Sequence, residues 1–366
     1  MGAPSRWHEL EIEDSDPEAR RARIAGSCLL KSIDTATQKA GLVFPSGVVS
    51  HTGASGLILG GGTGWLTRRF GLSCDNVEGF TLVTADSSVV SANSKENPDL
   101  FWALSGGGGN FGVVTEFEVK LHALTSMVLA EGLSPEADIR LLLECWRDFM
   151  AEAPLDLKWN INLRLAPHAR SVPIELRGRP VASSSLVWTG EPGCWASVLG
   201  ARAFHVQSGF CQQENGVVPE SANHGGLRVP AWPGLLHQIG YFTYLGDSVI
   251  DRRVEAVAAI PSSETQIELA CLGGAQGRER DRIWRSQRPF IMNLPAGWSE
   301  ASADAGNISW IRGLFNKLRP AMKPGVYVNF MSGDEQDRVP EAYQERRDLM
   351  VAVKTHYYPR NLTSFG

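Results

Sequence analysis

The chain has 366 residues, 43% of them hydrophobic and 20% charged, with a net charge of −5 at neutral pH. That length suits two domains rather than one. The balance is that of an ordinary globular chain and gives no basic footprint for nucleic acid. No apolar run reaches the ~18 residues of a membrane span, and the polar start from Met1 to Arg6 has no signal-peptide core, so no membrane partner and a cytoplasmic location are expected.

In chain order, residues 1–23 are charged and mixed and lead into a strand at about 23–25. Leu29, Ile33, Ala36 and Ala40 then recur at helical spacing, with Gly41 as the C-terminal cap. Residues 44–71 are rich in Gly and Ser and carry little helical period. Residues 80–85 and 89–92 read as strands joined by the turn Asp86-Ser87-Ser88. Asn97-Pro98-Asp99 is a helix start, with Asn as cap and Pro in the first turn. Residues 117–121 alternate Phe, Val and Leu with Glu and Lys, as a strand with one buried face does. Ser134-Pro135 is expected to open a helix whose apolar stripe is Ile139, Leu142, Leu143, Trp146, Phe149 and Met150. Further strands are expected at 159–165, 185–188, 266–272 and 326–330, and a last helix at 340–355.

Two glycine runs need a reading. Gly107-Gly108-Gly109-Asn110-Phe111-Gly112 fits G-x-G-x-x-G, but a helix precedes it and a strand follows, the reverse of a Rossmann turn. Gly60-Gly61-Gly62-Thr63-Gly64 fails the same pattern at Trp65, and no Walker lysine follows either run. Gly47, Gly53, Gly56, Gly60, Gly61, Gly62 and Gly64 nonetheless crowd one short stretch. Each glycine costs about 0.5–1 kcal/mol in chain entropy. So much bare backbone is expected where N–H groups must reach a large anionic cofactor. The six cysteines form no C-x-x-C pair and no histidine pair has ligand spacing, so no metal site is expected.

Several segments carry a specific resemblance. Phe44-Pro45-Ser46-Gly47, the run 53–66, Arg69-Phe70-Gly71-Leu72, Asp75-Asn76, Val83-Thr84-Ala85-Asp86, the run 96–104 and the run 106–115 resemble the second lobe of the FAD domain in berberine-bridge-enzyme-like oxidoreductases. The likeness is near-continuous from about 24 to 122. Leu272-Gly273-Gly274-Ala275, Arg288 and Tyr327-Val328-Asn329 resemble that family's substrate domain and returning C-terminal segment.

The resemblance implies an α+β, two-domain flavoprotein of the vanillyl-alcohol-oxidase type. It divides the chain into the second FAD lobe (1–122), an antiparallel substrate domain with helices (123–319) and a C-terminal segment returning to the FAD domain (320–366). FAD would be lined by Gly47, Thr52, Gly53, Gly56, Gly60, Gly61, Gly64, Asp75 and Asn76. Gly112, Val113 and Val114 would face its adenine end, and Tyr327 and Asn329, on one face of a strand, would serve as the catalytic pair at the flavin ring. The implied chemistry is hydride transfer from a C–H bond of a small alcohol, sugar or alkaloid-like substrate, with oxygen or another acceptor reoxidising the flavin.

Two positions depart from the family pattern. Val49 stands where some members carry the cysteine that bonds FAD, so FAD is expected to be non-covalent. Phe330 stands where many carry a tyrosine base, and a phenyl ring takes no proton. The family's first lobe lies upstream of the segment matching residues 23–41, and only about 22 residues precede it here. That lobe is expected to be missing, with weak FAD binding as the result. The alternative is a non-catalytic remnant of the fold with little or no flavin.

Overall fold

The computed structural model describes residues 10–12, 20–124, 126–194, 198, 212–216, 234–277, 289–331 and 335–358. The strands β1 (Leu10–Ile12), β2 (Arg21–Ala25), β4 (Val77–Val83), β5 (Val89–Asn93) and β6 (Val113–Lys120) form an antiparallel sheet in the order β1-β2-β6-β4-β5. A separate short antiparallel pair is formed by β3 (Leu42–Val43) and β7 (His122–Ala123). Against this sheet pack α1 (Leu30–Lys39), α2 (Ala54–Leu59), α3 (Thr67–Phe70) and α4 (Pro98–Leu104). Their shared core includes Ile33, Ile58, Phe80, Leu100, Phe111 and Phe117.

A second antiparallel sheet has seven strands: β8 (Met127–Pro135), β9 (Leu157–Leu165), β10 (Pro180–Trp188), β11 (Gln212–Gly216), β13 (Ile239–Phe242), β14 (Gln266–Cys271) and β15 (Phe290–Asn293). Their order is β11-β8-β10-β9-β14-β15-β13. A two-stranded pair, β12 (Gly234–Leu236) and β16 (Ala296–Trp298), stands beside it. Three helices cover one face: α5 (Ile139–Glu152), α6 (Asp247–Val257) and α7 (Asp304–Leu318). The stripe on α5 falls as its spacing dictates, with Ile139, Leu142, Leu143, Trp146 and Met150 buried. Trp146 Nε1 donates to Trp159 O at 2.9 Å, tying helix to sheet.

On β9 the odd residues Trp159, Ile161 and Leu163 enter this core, so the even residues Lys158, Asn160, Asn162 and Arg164 take the opposite face. That face turns toward the first sheet's loops. The C-terminal segment also packs there, Val326 and Tyr327 lying against Ile239, Tyr241, Ala270 and Ile291. The helices α8 (Val339–Tyr343) and α9 (Arg347–Tyr357) follow, and Met350 and Val353 return to the first core. No helix among the described residues is long and apolar enough to cross a membrane.

Four local expectations are corrected. Ser134 and Pro135 end β8, where Pro135 pairs with Val181; its extended ψ of 163° delays the helix until Ile139. Leu29 is still extended, bridged to Gly53, so α1 starts at Leu30 and buries Leu30, Ile33, Asp34 and Thr37 instead of Leu29 and Ala40. Residues 328–330 form a 3-10 turn, not a strand, closed by Phe330 N donating to Tyr327 O at 2.9 Å. The last helix is split at Gln344, whose φ of +49° no α-helix accommodates.

Candidate functional site

The glycine loop 60–64 is the first component. Gly60 N donates to Gly56 O at 3.3 Å and Gly61 N to Ile58 O at 3.0 Å, the ordinary close of α2. Gly62 N and Thr63 N both donate to the Tyr327 hydroxyl, at 2.8 and 3.2 Å. Gly64 N donates to Thr67 Oγ1 at 2.7 Å. The expected anion cradle is therefore not open here, because every one of these N–H groups already has a protein acceptor. The bare backbone answers to packing instead: a Cβ on Gly60 would collide with Asn329 and one on Gly62 with Ser73. Gly53 and Gly56 differ. Both are exposed, and a Cβ on either would meet nothing within 4 Å.

Tyr327 is fully buried. Its oxygen accepts from Gly62 N, Thr63 N and Asn329 Nδ2, the last at 3.0 Å. Asn329 Nδ2 also donates to Leu57 O at 3.0 Å. The two residues do come together, through the 3-10 turn, but they grip the glycine loop. Burial, against the pull of these hydrogen bonds, pushes the Tyr327 phenol up to about 12. The phenol oxygen is thus engaged by three donors.

The other expected cofactor residues divide. Asp75 Oδ2 accepts from Leu72 N at 2.9 Å. Asn76 Nδ2 donates to Phe70 O and Leu72 O, and its Oδ1 lies 2.6 Å from His122 Nε2. Both therefore shape the turn after α3. Gly47 packs against Leu57, and Thr52 O accepts from Leu30 N at 3.0 Å. Gly112 lies against Leu82 and Val83 and Val114 pairs with Leu82, while Val113 is 69% exposed.

The second component is the polar face of the seven-stranded sheet; sequence reasoning points to a sheet of this domain for the substrate but names none of the residues on that face. Asn160 is paired in register with Ser185 and Ala270, and Asn162 with Ser183 and Glu268. Glu268 pairs in turn with Asn293. Asn293 Nδ2 donates to Glu268 Oε2 at 3.0 Å, and its Oδ1 lies 3.3 Å from His237 Nδ1. Phe330 stacks on His237, with ring centroids 5.8 Å apart. Asn160 Oδ1 and Asn162 Oδ1 are buried with no hydrogen-bond partner. An amide oxygen left so costs about 1–3 kcal/mol, which a ligand that donates hydrogen bonds would recover. The signal was present in Lys158-Trp159-Asn160-Ile161-Asn162-Leu163-Arg164, where each polar residue of a buried strand is a hydrogen-bonding or charged one.

The two components meet across the seam. Lys158 Nζ donates to Gly64 O at 2.8 Å. Arg68 donates to Leu272 O at 3.1 Å and Ala153 O at 3.0 Å. Arg69 pairs with Asp156 at 3.2 Å and donates to Thr189 O. The residues present fit FAD through the open bare backbone at Gly53 and Gly56. Val49 offers no sulfur for a thioether.

Comparison with known proteins agrees. Residues 6–93 match the family described as FAD binding domain. An FAD-linked oxidoreductase of Dictyostelium discoideum is 41% identical over 122 residues, 33% of this chain and 27% of that protein. (R)-6-hydroxynicotine oxidase of Paenarthrobacter nicotinovorans is 44% identical over 115 residues, 31% of this chain and 25% of that protein. These matches thus span about a quarter of those relatives' length. The FAD-linked oxidoreductase YgaK of Bacillus subtilis is 25% identical over 344 residues, 89% of this chain and 72% of that protein. Among solved structures, Physcomitrella patens BBE-like 1 superposes with a TM-score of 0.84 at 18% identity, covering 98% of this chain and 79% of that one. The fold is that of the BBE-like two-domain flavoproteins. The chain is thus similar to FAD-linked oxidoreductases, and the segment matched at residues 6–93 is that of an FAD binding domain.

Proposed function

We propose that this chain oxidises a small molecule held on the polar face of the seven-stranded sheet, with Glu268 as the base. The unpartnered, buried Asn160 Oδ1 and Asn162 Oδ1 beside Glu268 carry the reading. They describe a surface that accepts hydrogen bonds from a hydroxyl- or amine-bearing substrate. Bound FAD supplies the hydride acceptor, and oxygen or another oxidant then takes the electrons.

The chain's own residues manage the proton. When a C–H hydrogen leaves a hydroxyl- or amine-bearing carbon as hydride, the O–H or N–H proton must also depart. Phe330 has no atom to receive it. Glu268 has a carboxylate, partly buried on the polar face, with one oxygen oriented by Asn293 Nδ2. Asn293 is fixed in turn by His237, which Phe330 covers. Phe330 thus becomes a wall of the site. The relatives fit this breadth: one is named an oxidase of (R)-6-hydroxynicotine, and a grass pollen allergen of the same fold has glucose dehydrogenase activity.

The test is Glu268→Gln, which keeps size and one acceptor but loses the base. Turnover should fall about 100- to 10,000-fold with FAD content unchanged. Turnover within twofold of the wild type would place the base elsewhere.

A further inference from the structure

We infer that Lys158 is a positioning residue for FAD, holding the glycine loop of the FAD-binding domain from the sheet of the other domain through its contact with Gly64 O. The loop 60–64 lies within the segment that matches the FAD binding domain and is tied to the open backbone of α2 through Gly60 N, which donates to Gly56 O at 3.3 Å. Two groups distant in sequence fix its backbone. Tyr327 takes the N–H groups of Gly62 and Thr63 from one side. Lys158 donates to the carbonyl of Gly64 from the other, at 2.8 Å. The remaining anchor, Thr67, is local and turns with the loop. Gly64 has no slack, since even a Cβ there would collide with Ser46 O. A shift at Gly64 O is therefore passed to Gly62 and Thr63.

The side chain of Lys158 is almost wholly buried, at 4% exposure. The titratable groups that act on it are Arg68 on α3 and Glu268 and Cys271 on β14. Among the described residues no carboxylate hydrogen-bonds to it. Burial first, and repulsion by Arg68 second, drive its ammonium down to about 8, while Cys271 and Glu268 pull the other way. The sign follows. The folded value lies below the ordinary 10.5, so the stability penalty of holding the charge is present below about 8 and is relieved as pH rises. The bond to Gly64 O moves oppositely: a neutral amine donates more weakly than an ammonium. Raising the pH should thus favour the fold at this residue and loosen the loop.

The experiment uses the full chain and Lys158→Met, which keeps the length of the side chain. FAD affinity is read by quenching of FAD fluorescence between pH 7 and 9.5. The wild type should lose about tenfold in affinity across that range. The variant should already be about tenfold weaker at pH 7 and flat with pH, with a thermal midpoint no lower than the wild type's. A variant that binds FAD as the wild type does, or follows the same pH profile, overturns the inference. Amide exchange gives a second readout that needs no cofactor. Peptides covering residues 60–64 should exchange about tenfold faster in the variant at pH 7, and equal protection there also overturns it.

Discussion

At the scale of single residues, the surroundings of a side chain set what it is free to do. Tyr327 looks like a catalytic tyrosine, and its hydroxyl is spent on two backbone N–H groups and one amide. Tyr327→Phe should leave Gly62 N and Thr63 N buried without an acceptor. The expected loss is about 1–3 kcal/mol of stability per unsatisfied group, measured by urea denaturation. A stability equal to the wild type's would mean that water replaces the hydroxyl. Neither the grip of Tyr327 on Gly62 nor that of Lys158 on Gly64 was legible in the sequence. The partners lie 265 and 94 residues apart, and no local pattern encodes such a meeting. The glycines were legible as unusual, but their cause was not: a collision with Ser73 or Asn329 and an approach to a phosphate both demand a missing Cβ.

At the scale of elements, α3 and the turn after β14 form the tightest part of the seam. Arg68 reaches from α3 to Leu272 O and Ala153 O, and its own carbonyl crowds Gly274, whose φ is +65°. Gly274→Ala is therefore wrong twice, in backbone conformation and in space. It should destabilise by roughly 1–3 kcal/mol, seen as a lower thermal midpoint, whereas Gly313→Ala, on the open face of α7, should not. Long periodic elements were the legible ones. The stripe of α5 states its face directly. Where the reading slipped, at Pro135, at residues 328–330 and at Gln344, tertiary contact or a single unusual dihedral overrode the local preference.

At the scale of the molecule, the glycine-rich half offers few side chains to read a substrate, and the polar face of the second sheet offers many. Exchanging residues 123–319 with those of a relative should carry substrate preference along, measured as the ratio of kcat/KM on two substrates. Preference that stayed with residues 24–122 would remove the sheet from substrate choice. The division of the chain into FAD-binding and substrate parts enters here as a proposal, resting on the two sheets and their separate cores.

The two-faced strand β9 has a consequence for how such a protein can diverge. Trp159, Ile161 and Leu163 answer to the core, and Asn160 and Asn162, interleaved with them, answer to whatever lies on the polar face. Because neighbouring codons serve different masters, a lineage can rewrite one set while leaving the other untouched. New chemistry on the even positions then arises without a detour through unfolded ancestors.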